Sequence, residues 1–135
     1  MFGTDLADPR VVASLPMAGA LRRNFFGQLG ETTVNGPVLF MSGSKDSVGQ
    51  QGQFDEMGPI DFTWMEIEGA CHQAFALGIC TELDGDTGFH IISTVGLAWA
   101  RATVLNDTDE TVRGIIQGEV MVSELVSTQR RQPEE

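Results

Sequence analysis

Positive charge is scarce in this sequence. Eight Lys and Arg stand against 19 Asp and Glu, which gives a net charge of −11, and no basic run is interleaved with aromatic residues. Because binding to a phosphate backbone depends on such basic patches, we expect no nucleic-acid partner. An apolar run of the roughly 18 residues that a membrane-spanning helix needs is also missing, so we expect no membrane span.

Cysteine is almost as scarce. The chain has two, Cys71 and Cys80. A loop of that length can close into a disulfide in an oxidising compartment, and two free thiols fit equally well. Neither a CxxC motif nor a set of four ligands is present, so zinc is not expected. Residues 1–8 lack the basic leader and apolar core of a signal peptide, and the compartment is left open.

Length and composition predict one globular domain. The chain has 135 residues, of which 41% are apolar and 20% charged. Three apolar runs have the length of strands and lie at 11–15, 38–42 and 62–67. The polar, glycine-containing stretch 47–59 is about as long as the dozen residues that a right-handed crossover requires. We therefore expect the second and third strands to be parallel neighbours.

Helical spacing follows in the C-terminal half. Asp84, Asp86 or Thr87 can cap a helix. Its apolar positions are Ile91, Ile92, Val95, Ala98, Trp99 and Ala102. Residues 106–109 end this helix and precede a shorter one that includes Val112, Ile115 and Ile116. We expect a domain over residues 1–128 and a flexible tail over 129–135.

Two polar residues follow the second and third predicted strands directly. Asp46 comes after the strand at 38–42, and His72 comes after the strand at 62–67. Catalytic groups of α/β sheets gather at the carboxyl ends of strands. A carboxylate there can hold an imidazole in one tautomer and stabilise the imidazolium when the ring takes a proton. The alternative is an ordinary turn aspartate and a loop histidine.

These residues lie in segments that resemble a known superfamily. Residues 36–46, Gly-Pro-Val-Leu-Phe-Met-Ser-Gly-Ser-Lys-Asp, resemble the strand-and-acid segment of α/β-hydrolases. Residues 67–72, Ile-Glu-Gly-Ala-Cys-His, resemble the histidine segment of the dienelactone-hydrolase-like and cutinase-like esterases. The segment 95–108 is similar to their final helix, and the likeness covers roughly residues 8–117. Acid before histidine is the order of that superfamily.

The resemblance implies a serine ester hydrolase, such as a carboxylesterase, lipase or polyester-cleaving cutinase. Asp46 would be the triad acid and His72 the general base. Phe75, Leu77 and the loop at 47–58 are weaker candidates for contacts with a small or polymeric ester. No metal or organic cofactor is implied.

The sequence departs from the family in one large respect. The nucleophile elbow G-x-S-x-G occurs nowhere in it. The resemblance therefore implies the C-terminal β-α-β-α portion of a parallel α/β-hydrolase sheet, without the N-terminal strands and the elbow. We expect either a truncated reading frame or one piece of a split enzyme, inactive alone. Its partner through the exposed sheet edge would be the missing N-terminal half or a second copy.

Two other functions stay open at this point. A complete small hydrolase would use Ser47, which is followed by Val48-Gly49 as in part of an elbow, but Lys45 replaces the first glycine. A non-catalytic module would present its sheet edge to a partner chain. Cys71 is not expected to act as a nucleophile with His72, because neighbours on an extended segment point to opposite sides.

Overall fold

The described residues are built around a mixed sheet of three strands in the order β1-β2-β3. The computed structural model describes residues 8–19, 34, 36–47, 50–58 and 60–133. β1 is Val38–Gly43, β2 is Phe62–Ile67 and β3 is Val126–Arg131. β1 and β2 are parallel, as the sequence predicted, whereas β3 is antiparallel to β2. The chain is therefore α/β in class, with a mixed sheet instead of the expected parallel one.

Both faces of β1 and β2 are covered, which explains why their sequences are continuous apolar runs. α1, Gln50–Glu56, covers one face and α2, Gly85–Val104, covers the other. The α1 face buries Val38, Phe40, Phe54, Met57, Ile60, Phe62 and Trp64. The α2 face buries Leu39, Met41, Met65, Ile67, Ala70, Leu83, Ile91, Val95 and Trp99.

The two C-terminal helices begin at aspartate caps. The Asp84 carboxylate accepts a hydrogen bond from the Thr87 backbone N–H at 2.9 Å, so Asp84 is the cap among the three residues that the sequence offered. α3, Glu110–Gln117, is capped in the same way by Asp109. In the part of the chain that the structure describes, no helix combines the length and apolarity needed to cross a membrane.

The first predicted strand, 11–15, lies further along the chain than expected. Parallel bridges to β1 form at Ser14 and at Met17. Pro16 lies between them, and its carbonyl accepts from the Met41 N–H at 3.0 Å. Because proline has no N–H to return, the ladder is interrupted and the segment forms separate bridges instead of a continuous strand.

The C-terminal tail also differs from the expectation. Residues 129–131, predicted to be flexible, are the second half of β3. The Arg131 guanidinium lies 4.9 Å from the centre of the Phe54 ring and donates to the Met57 carbonyl. These contacts hold a polar strand at the sheet edge, where half of its side chains need no apolar partner.

Candidate active site

Asp46 is positioned by the tight turn that ends β1. Its backbone N–H donates to the Gly43 carbonyl at 3.0 Å, and its own carbonyl accepts from the buried Gln50 side-chain amide at 3.0 Å. Lys45 donates its backbone N–H to the Ala70 carbonyl at 2.9 Å, which ties the turn to the loop after β2. The Asp46 side chain is only 4% exposed.

His72 is positioned by the loop that follows β2. Gly69 has a φ of +74°, which favours glycine, and donates its N–H to the Ser44 hydroxyl at 2.9 Å. Gly43 allows the two loops to meet, because a Cβ there would lie 2.1 Å from the Ala70 carbonyl oxygen. His72 then opens a short 3-10 helix, His72–Ala76.

The Asp46 carboxylate and the His72 ring form a hydrogen-bonded pair. Oδ2 of Asp46 lies 3.0 Å from Nδ1 of His72. The carboxylate is buried, whereas the His72 side chain is 62% exposed. In the described part of the chain, Nε2 has no hydrogen-bond partner. The sheet therefore brings the two predicted residues together with one ring nitrogen held by the carboxylate and the other open.

A disulfide closes the histidine loop. Cys71 and Cys80 are bonded, with their Cα atoms 5.6 Å apart, so the disulfide is the alternative that the structure contains. The loop packs partly on the α2 face of the core through Phe75 and Cys80. His72 is thus anchored by a covalent link to its immediate neighbour, and Cys71 has no free thiol.

An ion pair reinforces the junction on the solvent side. Nζ of Lys45 lies 2.9 Å from Oε2 of Glu82, and the hydrogen bond that Lys45 donates to this carboxylate raises the pKa of Lys45. Both side chains are about half exposed, so solvent screens the pair and its contribution to stability is small. The pair links the Asp46 turn to the chain just beyond the disulfide.

The residues proposed on weaker grounds, Phe75, Leu77 and Ser47, differ in their exposure to solvent. Phe75 is half-buried against the core, whereas Leu77 is 79% exposed at a left-handed φ of 59°. Ser47 is exposed, and in the described residues its hydroxyl has no hydrogen bond to His72.

Sequence inspection missed three groups at this site. Gln50 holds the Asp46 carbonyl, and Ser44 accepts from the histidine loop. Ile79, 94% exposed, adds a second apolar side chain beside Leu77. Only Ile79 carried a sequence signal, because it is an apolar residue between a glycine and a cysteine in a short loop.

Among the described residues, no group of His, Cys, Asp and Glu is arranged to hold a metal ion.

Comparison with known proteins assigns no family to the chain. No protein-family model matches the chain, and a comparison with curated proteins finds no significantly similar sequence.

Proposed function

We propose that this chain supplies the acid and the histidine of a serine ester hydrolase, and that the serine comes from residues outside this sequence. The observation that carries the proposal is the 3.0 Å contact between the buried Asp46 carboxylate and Nδ1 of the exposed His72 ring. A paired carboxylate and imidazole at the carboxyl ends of parallel strands is a common catalytic arrangement of α/β sheets.

The chemistry follows from the two nitrogens of the ring. With the proton on Nδ1 donated to Asp46, the lone pair lies on Nε2, which then accepts the proton of a serine hydroxyl as the oxygen attacks an ester carbonyl. The carboxylate stabilises the imidazolium that results. The same nitrogen returns the proton to the leaving alcohol, and a water molecule repeats the cycle on the acyl-enzyme.

The backbone of residues 14–18, which lies at the edge of the sheet next to β1, supports the idea that a further strand pairs there. Ser14, Pro16 and Ala18 use their backbone groups to pair with β1. In the described part of the chain, the N–H and carbonyl groups of Leu15 and Met17 between them have no hydrogen-bond partner. Unpaired strand edges are templates for another strand, and a strand that carries the nucleophile would fit there.

The disulfide-closed loop that contains His72 also carries exposed aliphatic side chains that fit an apolar acyl or polyester chain. Leu77 and Ile79 are 79% and 94% exposed in the loop that the disulfide closes. Exposed aliphatic side chains in the same loop as a catalytic histidine would lower the cost of bringing a water-insoluble ester to the protein. An ester of this type is the substrate class that we propose.

The same edge also favours one non-catalytic candidate, a module that binds a partner strand and uses the Asp46 and His72 pair only as a structural hydrogen bond. This function predicts partner binding without hydrolysis. It also predicts that His72→Ala leaves every activity of the complex unchanged.

Complementation tests the proposal. The chain alone should not hydrolyse p-nitrophenyl butyrate above a His72→Ala control, whereas addition of the N-terminal half of a matching hydrolase should restore turnover. Asp46→Asn should then lower turnover by about three to four orders of magnitude, because the imidazole loses its tautomer and counter-charge. His90→Ala is the matched control, since His90 is exposed on α2 and outside the pair.

Two outcomes would contradict the proposal. Full activity of the complemented His72→Ala enzyme would make the histidine structural. Hydrolysis by the chain alone that is lost in Ser47→Ala, with fluorophosphonate labelling of Ser47, would assign the nucleophile to this chain instead.

A further inference from the structure

A cleft lies at the opposite end of the sheet from Asp46 and His72. It has a volume of about 200 Å³ and is bounded by the residues that precede β1 and β2, by α2, by α3 and by β3. One wall of the cleft is apolar and contains Trp99, Ala102 and Ile116. Two arginines, Arg113 and Arg130, also line the cleft. Six of the ten described lining residues are polar or charged, so the cleft offers several hydrogen-bonding groups beside a smaller apolar wall.

Arg130 is incompletely paired. It lies in β3 opposite Thr63, with its side chain 24% exposed. Its Nε atom is buried and has no hydrogen-bond partner among the residues that the structure describes. The nearest carboxylate, Oδ1 of Asp61, lies 3.6 Å from Nη2, which is too long for a good hydrogen bond. Buried donors without acceptors are rare and call for an explanation.

The charge of the cleft is opposite to that of the chain. Among the described lining residues, Arg113 and Arg130 outnumber the acidic Asp61, whereas the whole chain carries a net charge of −11. Arg113 is partly held in place, because its Nε–H donates to the Asp107 carbonyl at 3.2 Å. A local excess of guanidinium groups on an acidic protein favours a small anion.

We propose that this cleft binds a small organic acid, with its carboxylate on Arg130 and its apolar body against Trp99 and Ile116. The exposed end of the Arg130 guanidinium, beyond its buried Nε, presents N–H groups in the fixed plane that matches the two oxygens of a carboxylate. The carboxylate would take the place of the distant Asp61 at Nη2. The indole wall suits a flat ring. The site is independent of the proposed ester hydrolysis.

Ligand-observed ¹⁹F NMR on the whole chain tests this proposal. 4-Fluorobenzoate should bind saturably, and more tightly than acetate or inorganic phosphate, which lack the apolar body. 4-Fluorobenzamide, which keeps the ring and loses the charge, should bind at least about tenfold more weakly, because charge-assisted hydrogen bonds are the stronger ones.

Single substitutions should move the affinity in opposite directions. Arg130→Gln should weaken binding of 4-fluorobenzoate by about tenfold or more, by loss of the charged fork. Asp61→Asn should strengthen it, because the competing carboxylate is removed. Ala102→Leu should weaken it by filling the cleft while leaving both arginines in place.

The control is a substitution of the neighbouring residue in β3, Arg131. Arg131→Gln removes the same charge on the α1 face, where Arg131 contacts Phe54, and should leave the affinity unchanged. Arg113→Gln, on the exposed side of α3, provides a second loss-of-charge variant if Arg130→Gln fails to fold. Thermal melts establish that each variant is folded.

Three results would overturn the proposal. The first is no saturable binding of 4-fluorobenzoate, which would mean that solvent alone satisfies Arg130. The second is equal affinity for the benzamide. The third is weakening by Arg131→Gln as large as that by a folded Arg130→Gln or Arg113→Gln chain.

Discussion

Replacement of Gly43 should separate Asp46 from His72. A Cβ at position 43 would lie 2.1 Å from the carbonyl oxygen of Ala70 and 2.6 Å from its carbonyl carbon. Contacts of real Cβ atoms essentially never fall below 3.0 Å, so in Gly43→Ala the end of β1 or the loop after β2 has to move by about 0.9 Å. Both clashing atoms belong to the backbone, so no side-chain rotation relieves the contact.

The expected cost has two parts. Overpacking a tightly packed position costs about 1–3 kcal/mol. The movement also weakens the hydrogen bond from the Lys45 N–H to the Ala70 carbonyl, now 2.9 Å long, which contributes about 1 kcal/mol. We expect Gly43→Ala to lower the free energy of unfolding by about 2–4 kcal/mol. A folded domain typically has about 5–15 kcal/mol, so the variant should stay folded while the pair opens.

Two measurements check this expectation. Urea denaturation with linear extrapolation gives the change in the free energy of unfolding. Long-range ¹H–¹⁵N spectra of the histidine ring report whether Nδ1 of His72 still carries the proton that it donates to Asp46. The control is Gly52→Ala in α1, where nothing lies within 4 Å of the new Cβ. It should stabilise the chain by about 0.5–1 kcal/mol through helix propensity.

The reasoning would be refuted if Gly43→Ala were as stable as Gly52→Ala and kept the same histidine tautomer. A loss of stability with an unchanged tautomer would refute only the link between the strand junction and the pair.

Three further predictions concern stability. Replacing Cys71 and Cys80 by serine should lower the free energy of unfolding by about 2.5–3 kcal/mol, from the entropy of a loop of about ten residues, measured by urea denaturation. Hydrogen bonds from Thr87 lower the pKa of Asp84 below its usual 3.8. The stability that this cap provides is therefore present above pH 3.8 and is lost as the pH falls through the lowered pKa. Asp84→Ala should flatten the acid limb of a profile of melting temperature against pH. Burial and, to a smaller extent, the charge of Glu68 raise the pKa of Glu66 above its usual 4.5. The folded chain therefore loses stability as the pH rises through the raised pKa. Glu66→Gln should raise the melting temperature at pH 7 but not at pH 3.

Each of these has a control. Reductant should lower the melting temperature of the native chain and leave the cysteine-free variant unchanged. Asp86→Ala, which removes a carboxylate from the same turn as Asp84, is the control for Asp84→Ala, and Glu124→Gln, on an exposed loop, is the control for Glu66→Gln. If Asp86→Ala behaved like Asp84→Ala, or Glu124→Gln like Glu66→Gln, the pH effect could not be assigned to Asp84 or to Glu66.

The sequence predicted the parts of the fold whose cause is local. β2 occupies residues 62–67 as expected, because an apolar run buried on both faces has few alternatives. α2 begins directly after Asp84 because the Asp84 carboxylate accepts a hydrogen bond from a backbone N–H three residues further on. The parallel pairing of β1 and β2 follows from the length of the crossover, and that pairing brings Asp46 to His72.

The features that the sequence did not predict depend on distant partners. β3 is polar and contains two arginines, so its pattern is typical of a tail until the edge of β2 is known. The cleft joins Arg113 of α3 to Arg130 of β3, and no spacing in the chain relates them. The disulfide stayed one of two alternatives because only folding brings the cysteine Cα atoms to 5.6 Å.

The antiparallel course of β3 has a practical consequence for handling the protein. Val126 lies opposite Ile67, at the end of the sheet that carries Asp46 and His72, and Arg131 lies opposite Phe62, at the far end. The chain therefore leaves β3 on the side away from the histidine. A tether attached after residue 133 would anchor the molecule to a bead or sensor chip with the Asp46 and His72 end facing the solution, whereas the arginine cleft would face the support.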